Sequence, residues 1–387
     1  MTGSTDPNAA QGAQSQLPLG AEWRAAREAV QERVLPSGQV VVSSPAPFGA
    51  GGLGRHLKEI VDALDRRGPP AVCLCGVALP HMSPSASPLH HELHVSGLTT
   101  SLRRLTRFSR SWSHLRLSVA FDGYAAERLP AAEHLIAFNG QALKQLNAAE
   151  RAGYESVCLL SANSHLRRVV RQHAKAHSRY PLEGSWATRV LRRNLREYEL
   201  ADRIYVASQY TWESFVEEGC PEEALSLLPF VPDPRFEPAG VRPASGTFDV
   251  VFAGRLTVDK GVPLLVDAVR ALPHEDLRLV LVGGWSSSGM RRFLQEALAR
   301  DSRIGVGPGD PLPHLQRARL YAHPSYEDGF AYAPAEAMAC GVPVLVSEDT
   351  GMKELVDPGV NGAILPTGDL GALTEAIDAA YRGELFS

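Results

Sequence analysis

Short apolar runs separated by stretches with a helical repeat recur along most of the chain. Residues 39–44 (QVVVSS) form the first run. A glycine-rich turn follows, and then Leu57, Ile60, Val61 and Leu64, whose spacing of three and four predicts a helix with one apolar face. Further runs lie at 71–77, 133–138, 156–161, 203–207, 249–253, 278–282, 319–323 and 342–346, with helical patterns between most of them. Strands that read as continuous Val/Ile/Leu runs are covered on both faces, so the pattern predicts parallel sheets of the α/β class.

Residues 229–245 break this rhythm. They are rich in proline and carry no helical period, so they read as a linker, with a new strand just beyond. The chain therefore divides into a polar tail at 1–20 expected to be disordered, a first α/β domain at 21–235 and a second at 236–387. Trp23, Ala26, Val30 and Val34 predict an extra helix at 21–34, expected to brace the two domains. In facing α/β domains, ligands gather at the carboxyl ends of the strands, along one cleft.

Composition narrows the function classes. The 387 residues are 44% hydrophobic and 21% charged, as in ordinary globular proteins, and the net charge of −4 argues against a nucleic-acid binder. No apolar run reaches the length of a membrane span, and the first twenty residues lack a secretory pattern, so the expected location is cytoplasmic. The five cysteines form no CxxC pair or cluster with histidine, so no metal site is expected.

Residues 49–54 (GAGGLG) fit G-x-G-x-x-G between a strand and a helix, where glycines let a phosphate or sugar approach the backbone. A dinucleotide reading would need an acid at the end of the next strand, and Cys73-Leu74-Cys75-Gly76-Val77 supplies none. In the second half, Arg255 and Lys260 follow a strand and precede a helix, a pair of cations suited to a diphosphate. Residues 323–346 (HPSYEDGFAYAPAEAMACGVPVLV) place Asp328 and Glu336 eight residues apart across a loop and a first helical turn, where two carboxylates can hold one polyhydroxyl ligand.

That last segment resembles the E-G-F-G-L-P-x-x-E-A-M-A-x-G-x-P-V signature of the retaining nucleotide-sugar glycosyltransferases of family 4, which have the GT-B fold. Gly254-Arg255-Leu256 with Lys260-Gly261, residues 350–356 (TGMKELV), Glu199-Leu200-Ala201-Asp202 and Gly51-Gly52 with Arg55-His56 extend the resemblance over residues 39–370. It implies two Rossmann-like domains facing across a cleft, and a hexosyltransferase of the kind used in polysaccharide biosynthesis. Sugar would pass from a nucleoside-diphosphate sugar to a hydroxyl acceptor with retention of configuration. No cofactor or metal is implied, and no D-x-D motif is present.

By the same resemblance, Arg255 and Lys260 would bind the diphosphate, and Glu336 would hold the ribose. Asp328, with Gly329 and the N–H groups of Phe330 and Ala331, would hold the donor sugar. Gly51 and Gly52 would approach the phosphates, and His165 would sit near the sugar. The chain departs from the signature at Asp328, one methylene shorter than the usual Glu, with the neighbouring Glu327 as the alternative sugar contact, and at Thr350, where the family has glycine.

Arginine and lysine crowd 165–196 (Arg167, Arg168, Arg171, Lys175, Arg179, Arg189, Arg192, Arg193, Arg196) against one acid, Glu183. Arg103, Arg104, Arg107, Arg110 and Arg116 lie among Leu102, Leu105, Phe108 and Trp112. These cations fit an anionic or lipid-linked acceptor, or peripheral contact of the first domain with the inner membrane surface; the alternative is a solvated helix face. Other function classes fit the residues: an NAD-dependent oxidoreductase using residues 49–54, a protein that binds a sugar nucleotide without turnover, and a two-carboxylate glycosidase.

Overall fold

The computed structural model describes residues 21–49, 51–78, 90–92, 110–239 and 246–386. The expected tail at 1–20, Ala50 of the glycine turn, Leu102 to Phe108 of the basic stretch and linker residues 240–245 lie outside the described residues, as do the side chains of Arg110 and Trp112.

Two parallel sheets form the scaffold. The first contains β1 (Val40–Phe48), β2 (Val72–Ala78), β3 (His90–Glu92), β4 (His134–Phe138), β5 (Ser156–Ser161), β6 (Arg203–Val206) and β7 (Leu225–Leu227), in the order β3-β2-β1-β4-β5-β6-β7. The second contains β8 (Phe248–Ala253), β9 (Leu277–Val282), β10 (Ile304–Gly307), β11 (Leu320–His323), β12 (Val344–Ser347) and β13 (Gly362–Leu365), in the order β10-β9-β8-β11-β12-β13. Both are doubly wound. The strand order reverses beside β1 in one and beside β8 in the other, and the crevice at that reversal is where such sheets take ligands.

Helices cover both faces of each sheet, which is why the strands read as unbroken apolar runs. On β1, Val40 and Val42 pack with Leu57, Ile60, Val61 and Leu64 of the helix Gly51–Asp65, while Val41 faces Leu135, Leu146 and Phe121 on the other side. Fully burying such a side chain contributes about 1.5–3 kcal/mol. In the second domain the helix Val262–Ala271 covers one face and the helix Tyr332–Ala339 the other.

The helix Ala21–Val34 touches both domains. Its Arg27 Nε donates to Phe230 O (2.8 Å) and Gln31 Nε2 to Pro229 O (2.9 Å), while Trp23 packs on the second-domain core. Across the molecule, Glu183 of the first domain accepts from Val258 N (2.8 Å) and Ser286 Oγ, and Tyr180 Oη donates to Asp267 (2.7 Å). No helix among the described residues is long and apolar enough to cross a membrane.

Candidate active site

The site forms where the loops after β1, β8 and β11 meet. Pro45 and Pro47 interrupt β1, and its register with β2 shifts between Ser44 and Pro47. The chain then turns sharply into the helix Gly51–Asp65. A Cβ on Gly54 would lie 1.9 Å from Pro47 O, so the helix start is pressed onto the strand end. Gly51, at φ +66°, and Gly52 face open space, as a loop approached by a ligand requires.

On the second domain, Gly254 (φ +143°) ends β8 and Arg255 projects exposed beyond it. Arg255 forms no ion pair among the described residues. Lys260 lies nearer the centre because Gly261, left-handed at φ +69°, lets the loop close on β11. A Cβ there would sit 1.9 Å from Pro324 O. That approach brings Lys260 Nζ to 2.6 Å from Asp328 Oδ2 and 3.3 Å from Glu327 O. His323 Nε2 reaches the same Asp328 oxygen at 3.1 Å.

Burial would raise the Asp328 carboxyl, but Lys260 and His323 outweigh it and hold it well below the usual carboxylate range. Burial likewise works against the Lys260 ammonium, yet Asp328, Asp259 and Glu327 together raise it. Lys260 and Arg255 both act on Asp259, where they and His173 overcome burial and lower its carboxyl.

Glu336 lies on the helix Tyr332–Ala339, its side chain 1% exposed. Its partner is Arg55 of the first domain, which also lies over the Tyr332 ring (4.9 Å). Burial raises the Glu336 carboxyl and Arg55 opposes that shift. Gly329 makes a further close approach between domains: a Cβ there would lie 2.3 Å from Ala162 O. Its carbonyl accepts from Ser208 Oγ at 2.6 Å. Phe330 and Ala331, which lead into the helix, are buried, with Phe330 edge-on to Phe230 at 5.5 Å. No group of three or more His, Cys, Asp or Glu among the described residues is placed to hold a metal.

Lys260 with Asp328, and the glycine loop with Glu336, are thus brought together, whereas His165 is engaged elsewhere. Its ring accepts from Arg167 N (3.4 Å) to cap the helix Leu166–Arg179 and packs against Tyr198 and Phe215. Burial lowers it to about 4. Glu327, beside Asp328, spans the domains by accepting from Ser164 N (3.0 Å) and Asn163 Nδ2 (3.3 Å). Arg55 and His323 were given no role by sequence reasoning, and Glu327 only that of a substitute for Asp328. Their only signal was adjacency to a motif.

Several cations of the basic stretch are held in ion pairs. Arg167 and Arg171 pair with Glu218, Arg168 with Glu217, Arg193 with Asp122 and Glu197, and Arg196 with Glu199. Most of these acids come from other elements, so a count along the stretch missed them.

This geometry is that of the GT-B architecture. Sucrose-phosphate synthase from Thermosynechococcus elongatus superposes with a TM-score of 0.62 at 20% identity, covering 89% of this chain and 90% of that one. WaaG, a glycosyltransferase of lipopolysaccharide biosynthesis, gives 0.63 at 16%, covering 89% and 90%. Residues 235–385 match the model of the family "Glycosyl transferases group 1".

Among curated relatives, the D-inositol 3-phosphate glycosyltransferase of Mycobacterium sp. (strain KMS) is 33% identical over 139 residues, 34% of this chain and 31% of that protein. The putative colanic acid biosynthesis glycosyltransferase WcaL of Escherichia coli (strain K12) is 27% identical over 177 residues, 42% and 43%. The match with the first of these thus spans about a third of that relative's length.

Proposed function

We propose that the protein transfers a sugar, a hexose, from a nucleoside-diphosphate sugar to a hydroxyl acceptor with retention at the anomeric carbon. The observation that carries this is the placement of Lys260 on Asp328 within the loop that also presents Glu336, eight residues on, to the glycine-loop helix. Cleaving the donor builds negative charge on the departing diphosphate. Lys260 and Arg255 stabilise that charge where it grows, which lowers the barrier directly. Glu336 accepts from the ribose hydroxyls. Asp328, with the Phe330 and Ala331 N–H groups, orients the sugar. Gly51 and Gly52 let the first domain close on the phosphates and exclude water. Attack from the face the nucleotide leaves requires no protein nucleophile, and His165 is not needed as one.

The acceptor binds on the first-domain side. That it is anionic or lipid-linked, with the first domain against a membrane, is supported by the exposed Lys175 and Arg192. The inositol phosphate named for the mycobacterial relative is an acceptor of that kind, although fewer than half of this chain's residues align with that relative. Flotation with anionic liposomes at low salt tests membrane contact, and absence of retention removes it. Hydride chemistry and glycosidic hydrolysis have no observation in their favour.

Calorimetry with UDP, GDP, ADP and NADH tests the donor: one of the diphosphates binds and NADH does not. Sugar transfer lost in Arg255→Ala and Glu336→Ala supports turnover. Binding without transfer from any matching sugar nucleotide would reduce the protein to a binder.

A further inference from the structure

We propose that His323 is the positioning residue of the sugar-holding carboxylate: its Nε2–H anchors Asp328 through Oδ2 and leaves Oδ1 for the donor when Lys260 turns to the diphosphate. This rests on the reading of Asp328 given above. Both side-chain partners of Asp328 take one oxygen, Lys260 Nζ at 2.6 Å and His323 Nε2 at 3.1 Å from Oδ2. A diphosphate that draws Lys260 away removes one of them, and a carboxylate left with none would lose its orientation.

His323 has little freedom to leave. It ends β11, is 3% exposed, and stacks parallel to Phe252 (5.9 Å between centroids, 5°) and near Tyr321 (6.3 Å, 16°). A buried ring packed beside two aromatic neighbours holds Nε2 at a fixed point, as a group supporting a reactive side chain must. The tautomer follows from the other nitrogen. Nδ1 is buried with no hydrogen-bond partner. A proton there would be an unmatched donor, and it would set the bare Nε2 lone pair against Oδ2. The proton therefore belongs on Nε2. The same logic accounts for Asp in place of Glu at this position: the shorter side chain keeps Oδ2 within reach of a ring five residues earlier on the adjoining strand end.

Two measurements test it on the full chain. In protein labelled with 15N-histidine, long-range 1H–15N correlations of His323, assigned by their loss in His323→Gln, show the Nε2–H pattern and move in Asp328→Asn. The Nδ1–H pattern overturns the proposal. With UDP-, GDP- and ADP-glucose as probes and nucleotide release as readout, His323→Ala lowers kcat about 30-fold, the scale of one hydrogen bond to a charged group, with KM and nucleotide Kd little changed. His323→Gln, whose amide nitrogen reaches the Nε2 position, restores most of the rate. His323→Asn, whose amide falls at the Nδ1 position, does not. An unchanged kcat in His323→Ala, or equal loss of nucleotide affinity and rate in all three variants, overturns it. If no nucleotide diphosphate binds the wild-type chain, the donor reading falls, and the tautomer measurement alone decides the His323–Asp328 pair.

Discussion

Arg55 of the first domain forms an ion pair with Glu336 of the second, 281 positions later in the chain. Glu336 is the carboxylate assigned to the ribose, so Arg55 and the ribose compete for the same oxygen atoms. Arg55→Ala leaves a buried carboxylate unpaired and lowers stability by about 1–3 kcal/mol. Glu336→Gln removes the charge that needed a partner, so a double-mutant cycle in denaturant shows a coupling of about 1–3 kcal/mol. At saturating nucleotide diphosphate the coupling shrinks, because ribose hydroxyls replace the guanidinium. Additive single effects would show that the pair does not operate in solution.

Lys260 and Arg255 differ in what else they hold. Lys260 is tied to Asp328, whereas Arg255 is exposed. Arg255→Ala therefore changes stability by less than about 0.5 kcal/mol while weakening nucleotide diphosphate binding about tenfold. Lys260→Ala weakens binding and also lowers the melting temperature, since Asp328 and Glu327 lose their cation. Calorimetry beside thermal melts separates the two. Equal melting temperatures in both variants would refute the distinction.

Both sheets and the loops of the candidate site were legible because continuous apolar runs and glycine turns are local signals. The strands at 90–92, 225–227, 304–307 and 362–365 were not read. They are only three or four residues long, and two contain glycine, so no apolar run announces them. Lys260, Asp328 and Glu336 were found because they share one short stretch each with a motif. Arg55, His323 and Glu327 act through partners set by tertiary contact, and Arg55 and Glu327 act across the domain interface, which spacing along the chain does not encode. The Thr350 departure has a similar explanation. The following glycine is crowded, since a Cβ on Gly351 would lie 2.0 Å from Gly329 O, while the buried Thr350 caps its own turn through Met352 N.

Gly329 is one of the glycines that let the domains meet closely. A methyl group there strikes the Ala162 carbonyl, and backbone cannot yield as a flexible side chain would. Gly329→Ala therefore opens the molecule and raises the radius of gyration in small-angle scattering, while the second sheet stays folded by circular dichroism. Nucleotide affinity falls less than transfer rate, because the donor cations lie on one domain and water exclusion needs both. A radius unchanged from wild type would mean that the interface absorbs the methyl.

Glu59 predicts a decline of stability with alkaline pH. It lies between the domains, accepting from Tyr332 Oη (3.0 Å) and Val231 N (3.2 Å), and burial raises its carboxyl to about 8. A folded-state value above the unfolded one means that the native state binds the extra proton between about 4.5 and 8. Stability then falls as pH rises through that window. The full one-proton slope is about 1.4 kcal/mol per pH unit, and the half-buried position of Glu59 narrows the window over which it acts. His56, lowered by burial to about 3, works the other way, since the unfolded chain binds its proton up to about 6.5. The two effects oppose one another below pH 6.5, and the Glu59 effect continues from there to about 8. Urea titrations across that upper window show wild-type stability dropping and Glu59→Gln holding level. A parallel decline in both proteins would place the titrating group elsewhere.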